Sequence, residues 1–159
     1  MELKKLDTSF YIANPRVEHA LDFYMDSGQW DMTKIRGHGV VSITINGLTF
    51  AIPVRSNILH DASYILKKNT KKRWVKGMGL DYTKALLIRN PTYVNDEIFV
   101  LKGKDAGKKL VGKTGHITNQ FQKYVEKYIN AVRANDQNIL SDIQYKDTTL
   151  VNYHTDLGL

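Results

Sequence analysis

The sequence predicts an α+β fold, and three observations carry that expectation. The arms 41–45 and 48–52 alternate apolar and polar residues around Asn46-Gly47, the two-residue period of a half-buried strand. Residues 17–25 and 121–132 place apolar side chains at the three-and-four spacing of a helix face. No internal repeat or linker interrupts the chain, so helices and strands should share one core. The expected architecture is two or three helices around a few short, mostly antiparallel strands, in a single domain over residues 1–159.

In chain order, 3–12 alternates weakly and reads as a short strand or an extended arm. Asn14-Pro15 reads as a helix start, because Asn caps well and Pro fits the first turn. Val17, Ala20, Leu21, Tyr24 and Met25 then form one stripe, and Ser27-Gly28 ends it. Residues 29–35 read as a loop anchored by Trp30. The hairpin follows. Asn46-Gly47 is a type I′ turn signal, since both central residues need positive φ. The turn sets the register Ile45 with Leu48, Ile43 with Phe50 and Val41 with Ile52, all on one buried face. Pro53 cannot donate to a ladder and should sit at an edge or a non-bonded position.

Beyond the hairpin, Ala62, Ile65 and Leu66 have helical spacing, and the basic run 67–76 is a surface segment. Its Trp74 either stacks on bases or packs on the core. Gly77-Met78-Gly79 reads as flexible. Residues 85–88 read as a central strand and 98–101 as another. The segment 102–115 matches the letters of a phosphate-binding loop, Gly107 to Gly112 then Lys113-Thr114. Gly115 and Ile117 follow at once, no βαβ repeat surrounds the motif and the chain is short for a nucleotide-binding α/β domain, so it reads as a flexible basic loop. A helix is expected from about 118 through the stripe Phe121, Tyr124, Val125, Tyr128, Ile129 and Val132. A shorter one is expected over 136–145, and Leu150 and Val151 could dock the tail.

Composition narrows the function. Hydrophobic residues make up 42% and charged residues 25%, globular values. Lys plus Arg number 23 against 16 acidic residues, a net charge of +7. This favours an anionic partner, of which nucleic acid is the commonest. The chain has no cysteine, which excludes disulfides and thiolate metal sites. The opening residues lack the apolar core of a signal peptide, and no apolar run approaches the roughly 20 residues that span a membrane. A soluble, cytoplasmic protein with no membrane partner is expected.

The hairpin register extends to chemistry. It sets His38 opposite Arg55 and Arg36 opposite Asn57, with Ser56 alongside and His60 close behind. Directly opposed Cβ atoms lie about 5 Å apart. Arginine offers a planar fork for phosphate, and histidine titrates near neutrality. Acidic residues are scattered rather than clustered, and the histidines lack metal-ligand spacing, so no metal or other cofactor is expected. Metal-free RNA cleavage needs a base for the 2′-OH, an acid for the leaving 5′-oxygen and cations for the phosphorane charge. His38 and Arg55 have the right types, with Arg36, Ser56, Tyr11 and His60 as further catalytic candidates. RNA contacts are expected from Lys67, Lys68, Lys71, Lys72, Arg73, Trp74, Lys76, Lys84, Lys102, Lys104, Lys108, Lys109 and Lys113. A noncatalytic RNA-binding module and a protein–protein module with a basic face are the competing readings.

Several segments carry a family resemblance: DTSFY at 7–11, RGHGVV at 36–41, FAIPVRSNI at 50–58 and KGMGLDYTKALLI at 76–88. With the late amphipathic helix, they span most of the chain. The sequence resembles toxins of type III toxin–antitoxin systems, the ToxN/AbiQ group, closest to its TenpN and CptN branches. The resemblance implies a compact barrel-like sheet with flanking helices, similar to MazF/Kid toxins. It implies a metal-independent endoribonuclease that leaves 2′,3′-cyclic phosphate ends and serves in phage defence. It further implies inhibition by a repeated small RNA, which the toxin cuts into units and binds in a closed hetero-oligomer. Ser56, after Pro53, matches the family's serine. Arg36 or His38 matches its basic residue before the first barrel strand, and Tyr11 matches its N-terminal tyrosine. Arg55 stands where that group has a small polar residue, so which residue acts as acid or base stays open.

Overall fold

The hairpin forms in the predicted register, Val41 opposite Ile52, Ile43 opposite Phe50 and Ile45 opposite Leu48. Asn46 and Gly47 both have positive φ, at 49° and 78°, as a type I′ turn requires. Five of the six apolar residues are buried and Leu48 is half-buried. On the opposite face the Thr44 and Thr49 hydroxyls share a 2.9 Å hydrogen bond.

The protein is described by a computed structural model covering residues 1–34 and 39–159, with the Lys104 side chain excluded. Its elements are β1 (Lys4–Leu6), α1 (Thr8–Ala13), β2 (Phe23–Tyr24), β3 (Gln29–Trp30), β4 (Val40–Ile45), β5 (Leu48–Ile58), β6 (Ser63–Lys68), β7 (Gly77–Asp81), β8 (Leu86–Leu87) and β9 (Val94–Ile98). They close with α2 (Lys104–Lys108), α3 (Thr114–Ala134) and α4 (Gln137–Leu140). Three 3-10 turns lie at Tyr82–Lys84, Pro91–Tyr93 and Thr149–Tyr153. The fold is α+β. Its main sheet runs β6-β7-β5-β4-β1-β9, with β8 on β5, and every ladder is antiparallel. Among the described residues no ladder joins β6 to β9, so this sheet is open.

The hairpin's apolar face is covered by α3. Phe121 meets Phe50 edge to face at 5.3 Å, and Tyr153 from the last 3-10 turn meets Phe50 at 6.0 Å. The expected stripe is inward: Phe121, Tyr124, Val125 and Tyr128 are buried. The helix starts at Thr114, earlier than expected, because the exposed Gly115 and His116 extend its first turn without entering the core. It stops at Asn135, whose φ of 50° is a left-handed cap. Pro53 is tolerated for a specific reason. The Val54 N–H donates to Gly39, so Pro53, opposite Val40, falls between bonded positions on the β4 side. On its other side β8 has ended and β7 begins only at Val54.

Several expectations fail. There is no helix over 14–27. The helix is α1, opened by Asp7, which accepts from the Ser9 N–H at 2.9 Å. Asn14 closes that helix rather than opening another. His19 and Asp22 have φ of 66° and 62°, which no helix contains. Val17, Ala20 and Phe23 are buried as loop and strand anchors, while Tyr24 and Met25 are exposed. Trp30 does anchor this region, donating from Nε1 to the Asn14 carbonyl at 2.9 Å.

The helical spacing of Ala62, Ile65 and Leu66 does not make a helix: Ile65 and Leu66 lie in β6, and Ala62 stands just before it. Gly77 and Gly79 serve close approach rather than flexibility. A Cβ on Gly79 would lie 2.1 Å from the Tyr64 carbonyl oxygen of β6. Residues 85–88 are buried, but only β8 is strand, and it pairs β5 alone. The last strand is β9, which ends where 98–101 was expected to begin. The loop over 102–115 contains α2 and the start of α3, and α4 is a single turn of the expected 136–145 helix. Leu150 docks fully buried and Val151 is half-buried.

Candidate functional site

The site grows from Asp81, where β7 ends. Its carboxylate caps the following 3-10 turn: Oδ1 accepts from the Thr83 N–H at 3.0 Å and from the Thr83 hydroxyl at 2.6 Å. Asp-x-Thr after a strand favours this local turn, because the short carboxylate reaches the backbone two residues on. The residue is fully buried. Arg55 on β5 lies opposite Gly79, which has no side chain, and so reaches diagonally to Asp81. Its Nη1 donates to Asp81 Oδ2 at 3.0 Å. On the other flank, β6 pairs Ser63 with Asp81, and the turn that feeds β6 carries His60.

The His60 ring is 6% exposed, with Nε2 3.4 Å from Asp81 Oδ1. Neither ring nitrogen has a hydrogen-bond partner, so the contact with Asp81 is electrostatic. Burial pushes the Asp81 carboxyl up. His60, Thr83 and Arg55 together outweigh burial and hold it below its ordinary value. Asp81 is therefore a charged carboxylate under one guanidinium and one imidazole.

Arg55 lines two clefts. The wider, about 710 Å³, includes Asp22, Lys34, Ser56, Phe99, Val100 and Lys102. The narrower, about 220 Å³, includes His60, Thr83, Lys84, Lys146 and Asp147. Lys84 donates to the Asp147 carbonyl at 2.9 Å. Burial pushes its ammonium below the ordinary value, with Asp81 pulling the other way. Among the described residues no three His, Asp or Glu side chains gather to hold a metal ion.

The chain matches no protein-family model, no curated protein and no solved structure among those compared. No helix among the described residues is long and apolar enough to cross a membrane.

Of the six catalytic candidates, the structure brings Arg55 and His60 together on Asp81. Ser56 is exposed in the wide cleft. Arg36 and His38 lie outside the described residues, and so does their proposed pairing with Asn57 and Arg55. Tyr11 is a core residue of α1, its ring packed on Phe10 and Trp30 at 5.4 and 5.0 Å. Burial, with Asp22 as a second cause, pushes its phenol far up.

The basic side chains fall on the surface. Lys67, Lys68, Lys71, Lys72, Arg73, Lys76, Lys102, Lys108, Lys109 and Lys113 are exposed, and Lys84 is half-buried. Lys76 is neutralised by Asp61. Trp74 is 73% exposed, so it does not pack on the core. The two basic segments are joined by Tyr64 of β6, whose hydroxyl donates to the Lys109 carbonyl at 3.0 Å. Asp81 and Thr83 were absent from the sequence candidates. The signal that could have found them is the capping pair Asp81-x-Thr83 at the end of a glycine-rich strand.

Proposed function

We propose that this chain is a metal-independent, sequence-specific endoribonuclease, the toxin of a type III toxin–antitoxin system. The observation that carries the reading is the Arg55–Asp81 pair. A buried carboxylate fixes one edge of a guanidinium that stays 39% exposed where two clefts meet. A pre-positioned planar cation suits the charge that builds on a phosphorane. The exposed basic segments and Trp74 supply the sequence-independent grip that RNA binding needs.

In this reading the RNA 2′-oxygen attacks the adjacent phosphorus and the bond to the 5′-oxygen breaks. A base takes the 2′ proton and an acid protonates the leaving oxygen, leaving a 2′,3′-cyclic phosphate and a 5′-hydroxyl. Arg55 contacts the scissile phosphate and Ser56 helps to orient it. His38 is the first choice for proton transfer and His60 the second, with Arg36 as an additional cation. The same proposal includes a cytoplasmic location, the MazF/Kid-like sheet and a closed assembly with the repeated RNA antitoxin. The test is incubation of purified protein with RNA in EDTA. Cleavage with cyclic-phosphate ends supports the reading. Retention of RNA without cleavage supports the noncatalytic module.

A further inference from the structure

The narrow cleft has a composition that the cleavage chemistry alone does not use. Three cations, Arg55, Lys84 and Lys146, line it with a single carboxylate, Asp147. That carboxylate is turned to His19, with Oδ1 3.8 Å from Nδ1. Lys84 makes no ion pair with any described residue. Its one hydrogen-bond partner among the described residues is a main-chain carbonyl, and burial disfavours its charge. Lys146 is exposed and also makes no ion pair among the described residues. In the wall stands His60, more than nine-tenths buried; its Nε2 faces Asp81 at 3.4 Å, and its Nδ1 has no hydrogen-bond partner among the described residues. Lys84 is thus half-buried with the Asp81 and Asp147 carboxylates acting on it only at a distance, and a cation in that position gains from an anion that contacts it directly. About 220 Å³ is too small for a folded partner and large enough for one phosphate with part of its sugar.

We propose that this cleft is a phosphate subsite that takes a non-scissile phosphate of the RNA strand, held by Lys84 and Lys146. The proposal rests on the endoribonuclease reading for the identity of the strand. Arg55 lines both clefts, so a strand lying in the wide cleft continues into the narrow one across Arg55. The substrate is then single-stranded RNA carrying at least one phosphate beside the one that is cut.

The test uses the full chain and an uncleavable 2′-O-methyl RNA in which one phosphate at a time is replaced by a neutral methylphosphonate. At one position the replacement should weaken binding by about tenfold or more, the scale of a charged hydrogen bond. In Lys146→Met that same replacement should cost clearly less, because the lysine and the phosphate are coupled while Lys84 still holds the phosphate. Lys84→Met should behave alike, and Lys146→Met stands alone if Lys84→Met does not fold. If no position couples to Lys146, the proposal is overturned. It is also overturned if inorganic phosphate perturbs the Lys84 and Asp147 amides by NMR while no RNA position couples, since the cleft is then a site for free phosphate. The oligonucleotide is not cut, so the nuclease reading fails separately: coupling without cleavage of ordinary RNA keeps the subsite and removes the nuclease.

Discussion

Arg55 and Asp81 are unequal partners. Their contact is 3.0 Å, yet the Asp81 side chain is fully buried and that of Arg55 is 39% exposed. The buried member fixes geometry and the exposed member meets solvent or ligand. Removing the charge of Asp81 should therefore harm both stability and function. We expect Asp81→Asn to lower stability by about 1.5–3 kcal/mol, the range for hydrogen bonds to charged groups, as measured by urea unfolding. It should also reduce RNA cleavage, because Arg55 loses its anchor.

The pH dependence of stability follows from the same carboxylate. Asp81 is held below its ordinary value of 3.8 in the folded chain. Between the folded and unfolded values the unfolded chain binds more protons, so stability rises with pH. The contribution is fully present above 3.8 and is lost as pH falls through the lower folded value. Asp7 and Asp31 are lowered too, so the comparison must be differential. Urea midpoints from pH 6 to pH 2.5 should fall less steeply in Asp81→Asn than in the wild type. Parallel curves would mean that Asp81 is not held as described.

The hairpin and α3 were legible in the sequence because local turn chemistry and long-period patterning agreed there. Asn46-Gly47 dictates the turn, and Phe50 and Phe121 then meet. Residues 14–27 misled because Val17 and Ala20 are buried at helical spacing while His19 and Asp22 turn the backbone left-handed. Spacing alone does not report φ. The site was half legible. Arg55 and His60 stood out by type, but Asp81, which joins them, is 26 residues from Arg55 and meets it only through the β5–β7 ladder.

That ladder system has its own test. A Cβ on Gly79 would lie 2.1 Å from the Tyr64 oxygen and 2.7 Å from the Ile65 Cα, so backbone must move. Gly79→Ala should cost about 1–3 kcal/mol by overpacking, with hydrogen exchange accelerating first in β6 and β7. Unchanged protection there would contradict the close strand contact.

RNA binding should depend on the basic segments in a graded way. Neutralising Lys67, Lys68, Lys71, Lys72 and Arg73 together should lower affinity across unrelated sequences. It should also reduce the slope of log K against log salt by about 0.7 per lost phosphate contact on single strands. Trp74→Ala should cost about 1–3 kcal/mol if a base stacks on it, with little change in that slope. Filter binding at several salt concentrations separates the two effects.

The central claim is that Arg55 stabilises the phosphorane of a metal-free RNA cleavage, and the most direct measurement is cleavage in EDTA by wild type, Arg55→Ala and Arg55→Lys. The account predicts cutting by the wild type with 2′,3′-cyclic phosphate ends. It predicts a loss of about 10²–10³-fold in Arg55→Ala, the scale for removing one transition-state donor. Arg55→Lys should give only partial rescue, because an ammonium lacks the planar fork. Wild-type rates in a folded Arg55→Ala protein would contradict the account.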